Sequence, residues 1–464
     1  MIGIAAHAAY IPRHRIERER IASAFGASAL KGERAAVNFD EDSLTMAAAA
    51  VQLVLPAVSC DGLYFASTTP PHLERMNGSL IAAACDLDED LAVADFANSL
   101  RAGTIAVGSA LDSVAVSTRH NIIIAAADVR EAPPESQEEQ LFGDAAAAIA
   151  IGQEGVIAEF KARATVYDDF LDTVRRDKDE RVTSFASKFT FERGYQESVL
   201  KAISKILSQT GLGPGDIARL VLPPVDQKSH VKVATKAGFR PEQVQETFFE
   251  KLGVTGSSMP LLLLSAALEN AKPGDKILLV GYGDGADALL FEVTELIAQY
   301  PVRQPIEKQL KNAIQFRSYE LFRKAREFFR HYDDGPQISN ILYEKEESQN
   351  IRLRGTHCDE CGTRQFPFTR VCIVCRNSKS LREVKLERRG HVFTFTTDAL
   401  YASPIPPTVM SVVDLAGGGR IYLQMTDVQP EEVKIEMPVE LTLRRLSEGG
   451  GMHHYYWKCR PEES

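Results

Sequence analysis

The chain has 464 residues, 44% hydrophobic and 25% charged, with a formal net charge of −10, which fits a globular protein of two or three domains with a sizeable buried core. That acidity argues against a nucleic-acid partner, which needs a basic face to neutralise phosphates. No run of about 18 or more apolar residues occurs, so no membrane span is predicted. The N-terminus MIGIAAHAAYIPRHRIERERI lacks the basic, apolar, small-residue order of a secretory signal, and the cytoplasm is the expected compartment.

The first 300 residues alternate apolar strand-like runs with helical stretches, the pattern of an α/β fold. Strands are predicted over 62–67, 121–129, 145–152, 218–224, 276–283 and 287–293. Amphipathic helices are predicted over 43–55 and 195–211, the second stopped by Gly211. NIIIAAADVR followed by GDAAAAIAIG is echoed by KILLVGYG followed by DGADALLFEV, so two copies of one half-domain are expected, over 1–153 and 154–297. Gly283-Asp284-Gly285 is read as the tight turn between two strands.

Residues 298–345 become polar, proline-marked and then helical, and are expected to be a helical linker. Phe316, Leu321, Phe322, Phe328 and Phe329 could form an apolar stripe there, packed on the chain itself or, alternatively, on a partner subunit. Five short strands, over 391–400, 408–415, 419–428, 439–446 and 453–459, then suit a small β-barrel of the OB type over 389–464.

Seven cysteines are present, and an odd count with no signal peptide argues for metal binding over disulfides. Cys358-Asp-Glu-Cys361 and Cys372-Ile-Val-Cys375 are two CxxC knuckles that can converge on one ion, giving a tetrahedral all-sulfur site with no open position. The expected role is structural, the metal replacing the core that so short a segment, 346–388, cannot build. Zinc is favoured, although iron would accept the same geometry. His357 is read as a bystander, and Cys60 and Cys85 as buried structural thiols. Arg352, Arg354, Arg364, Arg370 and Arg376 form a local basic cluster that an anion such as coenzyme A could meet, or that is simply a solvated face.

The segment from Cys358 to about Pro461, with CxxCG, Phe366-Pro367, GHVFTFT and VVDLAGGGR, resembles the zinc-ribbon plus OB-fold proteins that accompany thiolases. That resemblance implies binding of acyl-CoA and of a thiolase partner. The first 297 residues resemble the thiolase superfamily, closest to its hydroxymethylglutaryl-CoA synthase and ketoacyl synthase III branch. The matching segments are MIGIAAHAAYIPRHRI, NFDEDSLTMA, SLRAGT, FGDAAAAIAIG, GVTGSS and GDKILLVGYGDGADALLF. The implied fold is a five-layered α/β sandwich of two related halves, followed by a rubredoxin-like ribbon and a small barrel, with a homodimer through the thiolase-like domain.

Chemistry in that superfamily needs a cysteine nucleophile at a buried helix N-terminus, a histidine, an asparagine or second histidine, and in the synthases a glutamate. Matched by motif, the cysteine position holds Leu100, the histidine position Pro223, the asparagine position Val254 and the glutamate position Thr68. None of the four can do the required work. Ser99 is the nearby nucleophile, weak without a base, and His230 lies about two turns beyond Pro223. The expectation is a non-catalytic or accessory subunit of an acyl-CoA thiolase complex, acting in β-oxoacyl-CoA cleavage or condensation, for instance in anaerobic aromatic degradation. The alternatives are a divergent hydroxymethylglutaryl-CoA synthase-like acyltransferase and a plain scaffold without a ligand.

Overall fold

Nine strands of the N-terminal 300 residues join into one sheet: β1 (Gly3–Tyr10), β2 (Gly62–Ala66), β3 (Ala92–Phe96), β4 (Asn121–Asp128), β5 (Ala145–Gly152), β6 (Ala158–Tyr167), β7 (Arg219–Val221), β8 (Lys276–Tyr282) and β9 (Gly285–Val293), in the order β7-β8-β9-β6-β1-β5-β4-β2-β3. The computed structural model describes residues 1–116, 119–185, 187–331 and 339–462. Parts of the expected linker (332–338) and barrel (463–464) therefore lie outside the described residues. The chain divides into two compact units, the first Met1–Val37, Met46–Ile81 and Asp88–Gln315, the second Asn38–Thr45, Ala82–Leu87 and Phe316–Ser464.

The sheet contains the same local pattern twice. β5 runs antiparallel to both β1 and β4 while β2 and β4 are parallel. Likewise β9 runs antiparallel to both β6 and β8 while β7 and β8 are parallel. The halves join where β1 meets β6 at Gly3–Glu159 and Ile4–Ala158. β4, β5, β8 and β9 are almost wholly buried, which explains their unbroken apolar runs. β1, β3 and β6 were not anticipated, because alanine-rich GIAAHAAY, short AVADF and charge-bearing AEFKARATVY carry weak strand signals.

Two helices are interior. In α1 (Ala102–Val116) nine residues are buried, and in α3 (Met259–Glu269) every residue from Met259 to Leu268 is. A helix apolar on all sides must be enclosed, and MPLLLLSAAL reads that way. Between them, α2 (Glu197–Thr210) is amphipathic, burying Val199, Ala202, Ile203 and Ile206, and Gly211 stops it with φ +68°. A π-helical turn, Thr190–Gln196, occupies the start of the predicted element.

In the segment read as a linker, the part up to Gln315 packs within the first unit. Gln309 bonds the backbone of Ile11 and Ala9, each at 2.9 Å, and Ile314 pairs with His14. From Phe316 onward it belongs to the second unit. Phe316 and Phe322 of α4 (Tyr319–His331) and the turn before it are buried, Phe328 meets Phe39 edge-on at 5.3 Å, and Arg445 covers Phe329. Phe316, Phe322, Phe328 and Phe329 of the stripe thus pack within the second unit, with Leu321, Phe328 and Phe329 half-buried.

The ribbon strands are β10 (Arg354–Cys358), β11 (Arg364–Gln365) and β12 (Leu381–Lys385), with β10 central. β13 (Arg389–Asp398), β14 (Thr408–Leu415), β15 (Arg420–Met425), β16 (Pro438–Gly449) and β17 (Met452–Pro461) close a barrel in the order β13-β14-β15-β17-β16. Strict alternation along β14 sends Val409, Ser411, Val413 and Leu415 inward, where they join Ile421, Leu443 and Trp457. Among the described residues no helix is long and apolar enough to cross a membrane.

Candidate functional site

The turn entering α1 places the first two candidate positions. Asn98 has φ +69°, an αL corner that asparagine tolerates, and it delivers Ser99, half-buried Leu100 and Arg101 to the helix start. Beneath them lies Gly283, with φ +153°, where a Cβ would stand 2.9 Å from both the Leu100 nitrogen and Ser99 Oγ. The β8–β9 turn is therefore a floor for this helix tip as well as a turn, a role its sequence did not distinguish. Ser99 Oγ donates to Asp284 Oδ2 at 2.8 Å. Arg101 is held between Asp287 Oδ1 (3.0 Å) and the Asp284 carbonyl (3.1 Å), and Thr104 and Thr165 also donate to Asp287.

Two further positions meet through Asp128, at the end of β4. Its Oδ1 accepts the backbone N–H of Thr68 at 2.7 Å and the hydroxyls of Ser67 and Thr69, each at 3.0 Å. Its Oδ2 accepts the Ser257 N–H at 2.7 Å. Asp128 so ties the Thr68 turn to the Gly253–Ser257 turn that carries Val254. Val254 itself is fixed by backbone bonds to Leu141 and Gly143. The second turn also abuts α1, because a Cβ on Gly103 would lie 2.6 Å from the Ser257 carbonyl. Only glycine fits there, which explains the Ala-Gly-Thr sequence. Asp128 was missed in the sequence; the signal for it was a lone carboxylate closing the apolar run IIIAAAD.

Pro223, just beyond β7, reaches the same neighbourhood by a relay of aromatics. Its carbonyl accepts the Tyr195 hydroxyl at 2.7 Å, Tyr195 packs edge-on against Tyr282 at 5.1 Å, and Tyr282 precedes Gly283. Burial raises both phenols well above their ordinary range, so neither is a base near neutrality. Thr68, Leu100, Pro223 and Val254 are thus tied to one assembly, and their side chains bring it no thiol, imidazole, carboxamide or carboxylate. His230 is the second residue of the helix Ser229–Lys236; burial lowers its pKa, and among the described residues its Nδ1 makes no hydrogen bond. Next to α1, a pocket of about 270 Å³ is lined by Arg101, Thr104, Asp112, Arg163, Thr165 and Asp287 with neighbouring apolar atoms. None of the four candidate positions lines it, and its charges are paired, Arg101 with Asp287 and Arg163 with Asp112.

In the second unit the four predicted ligands converge. The sulfurs of Cys358, Cys361, Cys372 and Cys375 all lie within 4.8 Å of one another, with Cys358–Cys375 and Cys361–Cys372 at 3.5 Å. A tetrahedral ion with metal–sulfur bonds of about 2.3 Å needs sulfurs about 3.8 Å apart, so the cluster fits zinc. The knuckles are built alike. Gly362 N–H returns to the Cys358 carbonyl at 2.8 Å and Arg376 N–H to the Cys372 carbonyl at 3.1 Å, with φ +73° and +62°. Hydrogen bonding from Thr363 lowers the Cys361 pKa to about 6, favouring the thiolate that a metal requires. His357 turns its Nε2 toward Asp359 at 3.5 Å.

The basic cluster divides. Arg354 meets buried Asp86 at 2.8 Å and Arg352 reaches it at 3.7 Å while donating to the Leu87 carbonyl, whereas Arg364, Arg370 and Arg376 form no ion pair among the described residues. Cys85 is buried, as read from the sequence; Cys60 is only half-buried, correcting that reading, because it sits in the surface turn before β2.

Three family descriptions match the chain. They are 3-oxoacyl-[acyl-carrier-protein] synthase III C terminal over residues 207–292, the ChsH2 rubredoxin-like zinc ribbon domain over 349–381, and the ChsH2 C-terminal OB-fold domain over 383–444. The hydroxymethylglutaryl-CoA synthase of Methanopyrus kandleri is 30% identical over 329 residues, covering 68% of this chain and 94% of that protein. That of Aeropyrum pernix is 31% identical over 340 residues, covering 70% and 94%. A solved HMG-CoA synthase complexed with CoA superposes with a TM-score of 0.61 at 18% identity, covering 70% of this chain and 89% of that one. The 3-oxoacyl-[acyl-carrier-protein] synthase III from Aquifex aeolicus gives 0.57 at 18%, covering 63% and 100%. At such identities the structural likeness concerns the fold alone.

Proposed function

Because this chain belongs to the hydroxymethylglutaryl-CoA synthase family and yet carries Leu100 where a nucleophile is needed, we propose that it is a non-catalytic, accessory subunit of an acyl-CoA thiolase complex. In this reading the synthase-type domain keeps its fold and its homodimer, and the ribbon and barrel engage acyl-CoA or a thiolase subunit during β-oxoacyl-CoA cleavage or condensation. The observation that carries it is the helix tip. Leucine cannot attack a thioester, and the neighbouring Ser99 hydroxyl is bonded to a carboxylate, Asp284, rather than to an imidazole. Pro223 and Val254, tied to the same assembly, have no side-chain proton shuttle or oxyanion donor, and Thr68 offers a hydroxyl in place of a carboxylate, which is no general acid or base near neutrality. The synthase solved with CoA supports a retained coenzyme A site, and the ribbon, with four thiolates and no open position, supports a structural zinc.

The test is to express the chain alone and together with the thiolase encoded nearest to it, and to assay thiolysis and condensation. Turnover only in the co-expressed sample is expected; robust turnover by the isolated chain would overturn the reading. One contact favours an alternative, an acyltransferase acting through Ser99: its hydroxyl stands at the helix start with Asp284 at 2.8 Å. That alternative requires a covalent acyl adduct on the intact protein after incubation with acetyl-CoA, lost in Ser99→Ala.

A further inference from the structure

The tip of the zinc ribbon has a surface that neither the metal nor the fold requires. Phe368, Val371, Ile373 and Val374 are 49%, 45%, 58% and 65% exposed, although they lie within seven consecutive residues. A ribbon can place any polar residue inside a CxxC knuckle, and the first knuckle does so with Asp359 and Glu360. The second presents Ile373 and Val374 to solvent instead. Apolar exposure this concentrated marks an interaction site more often than an ordinary surface.

The loop is also held in one shape. Buried Gln365 accepts the Ile373 N–H at 3.0 Å and donates to the Val371 carbonyl at 3.0 Å, while Gln349 accepts the Phe368 N–H at 3.0 Å. The four side chains are therefore presented with little ordering cost, which favours binding.

Charge identifies what would cover them. From Cys361 to Leu381 the chain carries Arg364, Arg370, Arg376 and Lys379 and no acidic residue, in a protein of net charge −10. A zinc ion with four thiolates contributes −2, and Asp359 and Glu360 of the first knuckle another −2, so the four cations leave the whole ribbon tip neutral, with its positive charge confined to the second knuckle and the loops beside it. Among the described residues none of these four cations is ion-paired, in contrast to Arg352 and Arg354. An apolar centre with a cationic rim matches a protein surface that offers an apolar depression edged by carboxylates. A small ligand fits less well, since small-molecule sites are concave and these side chains stand outward from a braced loop.

We propose that the ribbon tip, Phe368 to Val374 with Arg370 and Arg376, is the docking surface for an acidic-rimmed protein partner, which on the accessory reading above is the thiolase subunit. The proposal rests on that reading.

The experiment uses the full chain and the thiolase encoded nearest to it, with affinity measured by surface plasmon resonance over a salt series. Three variants are compared with the parent: Phe368→Ser with Val371→Glu, which lies outside the knuckle; Ile373→Glu with Val374→Glu; and Arg370→Glu with Arg376→Glu. Each is checked for one zinc per chain. The two apolar variants are expected to lose at least tenfold in affinity, and the charge reversal to weaken binding while flattening its salt dependence. Parent-like binding by zinc-loaded tip variants overturns this proposal and leaves the accessory reading standing. A thiolase that binds neither parent nor variants overturns both.

Discussion

The Arg444 guanidinium and the Asp40 carboxylate, 404 residues apart in sequence, meet at 3.2 Å with neither exposed to solvent. Both belong to the second unit, where Arg444 also binds Glu41 at 2.9 Å and Asp427 at 2.6 Å. Lys458 closes on Asp40 at 2.9 Å and the Tyr455 hydroxyl donates to Asp42 at 2.7 Å. The NFDED stretch is thereby held to β16 and β17 by a buried network of ion pairs. Substituting one member leaves the others charged and buried, which is costly. Arg444→Met is expected to destabilise the second unit by about 3–5 kcal/mol. Trp457, the single tryptophan, lies in that barrel, so its fluorescence during urea unfolding reads this unit directly.

Gly283→Ala tests the floor beneath the helix tip. The new methyl would meet the Leu100 and Arg101 nitrogens at 2.9 and 3.0 Å, in a backbone conformation disfavoured for alanine. A loss of about 1–3 kcal/mol in the first unit is expected, measured by circular dichroism on denaturation. The comparison Ser99→Ala keeps the backbone and removes the hydroxyl's bond to Asp284 and its long 3.5 Å bond from the Arg101 N–H, and should cost about 1 kcal/mol.

Metal removal should act on the ribbon. Purified chain is expected to contain one zinc, and Cys358→Ala or Cys372→Ala, each deleting a buried sulfur, should abolish it. Elemental analysis with proteolysis of the 349–381 segment checks both content and unfolding. Iron in place of zinc would refute the assignment.

His7 gives a pH dependence of defined sign. It is buried in β1, stacked on Tyr300 at 4.9 Å, with both ring nitrogens unbonded among the described residues, and burial depresses its pKa from 6.5 to about 3. A folded-state pKa below the unfolded one means that the unfolded chain binds more protons between these values. The stability His7 confers is therefore complete above 6.5 and is lost as pH falls through the window toward 3. The loss approaches about 1.4 kcal/mol per pH unit. In His7→Phe that component should vanish, so melting of the two proteins should diverge progressively on acidification.

Much of the architecture was readable locally. Unbroken apolar runs marked β4, β5, β8 and β9, the repeated Gly-Asp echo marked two related halves, and paired CxxC spacing located a metal cluster whose sulfurs do converge. Such signals are local because each is a periodicity, a spacing or a residue-type requirement fulfilled within a few neighbouring residues.

What depended on residues distant in sequence was decided by the tertiary structure alone. Asp128 became a hub only when β4 was set beside the Thr68 and Ser257 turns; Gly283 became a floor only when the β8–β9 turn met the start of α1. The five-arginine cluster divided because Asp86 folds against two members and leaves three without an ion pair among the described residues. Whether a charge is paired and whether an apolar side chain is covered are properties of the neighbours that packing supplies, and one-dimensional order does not specify them.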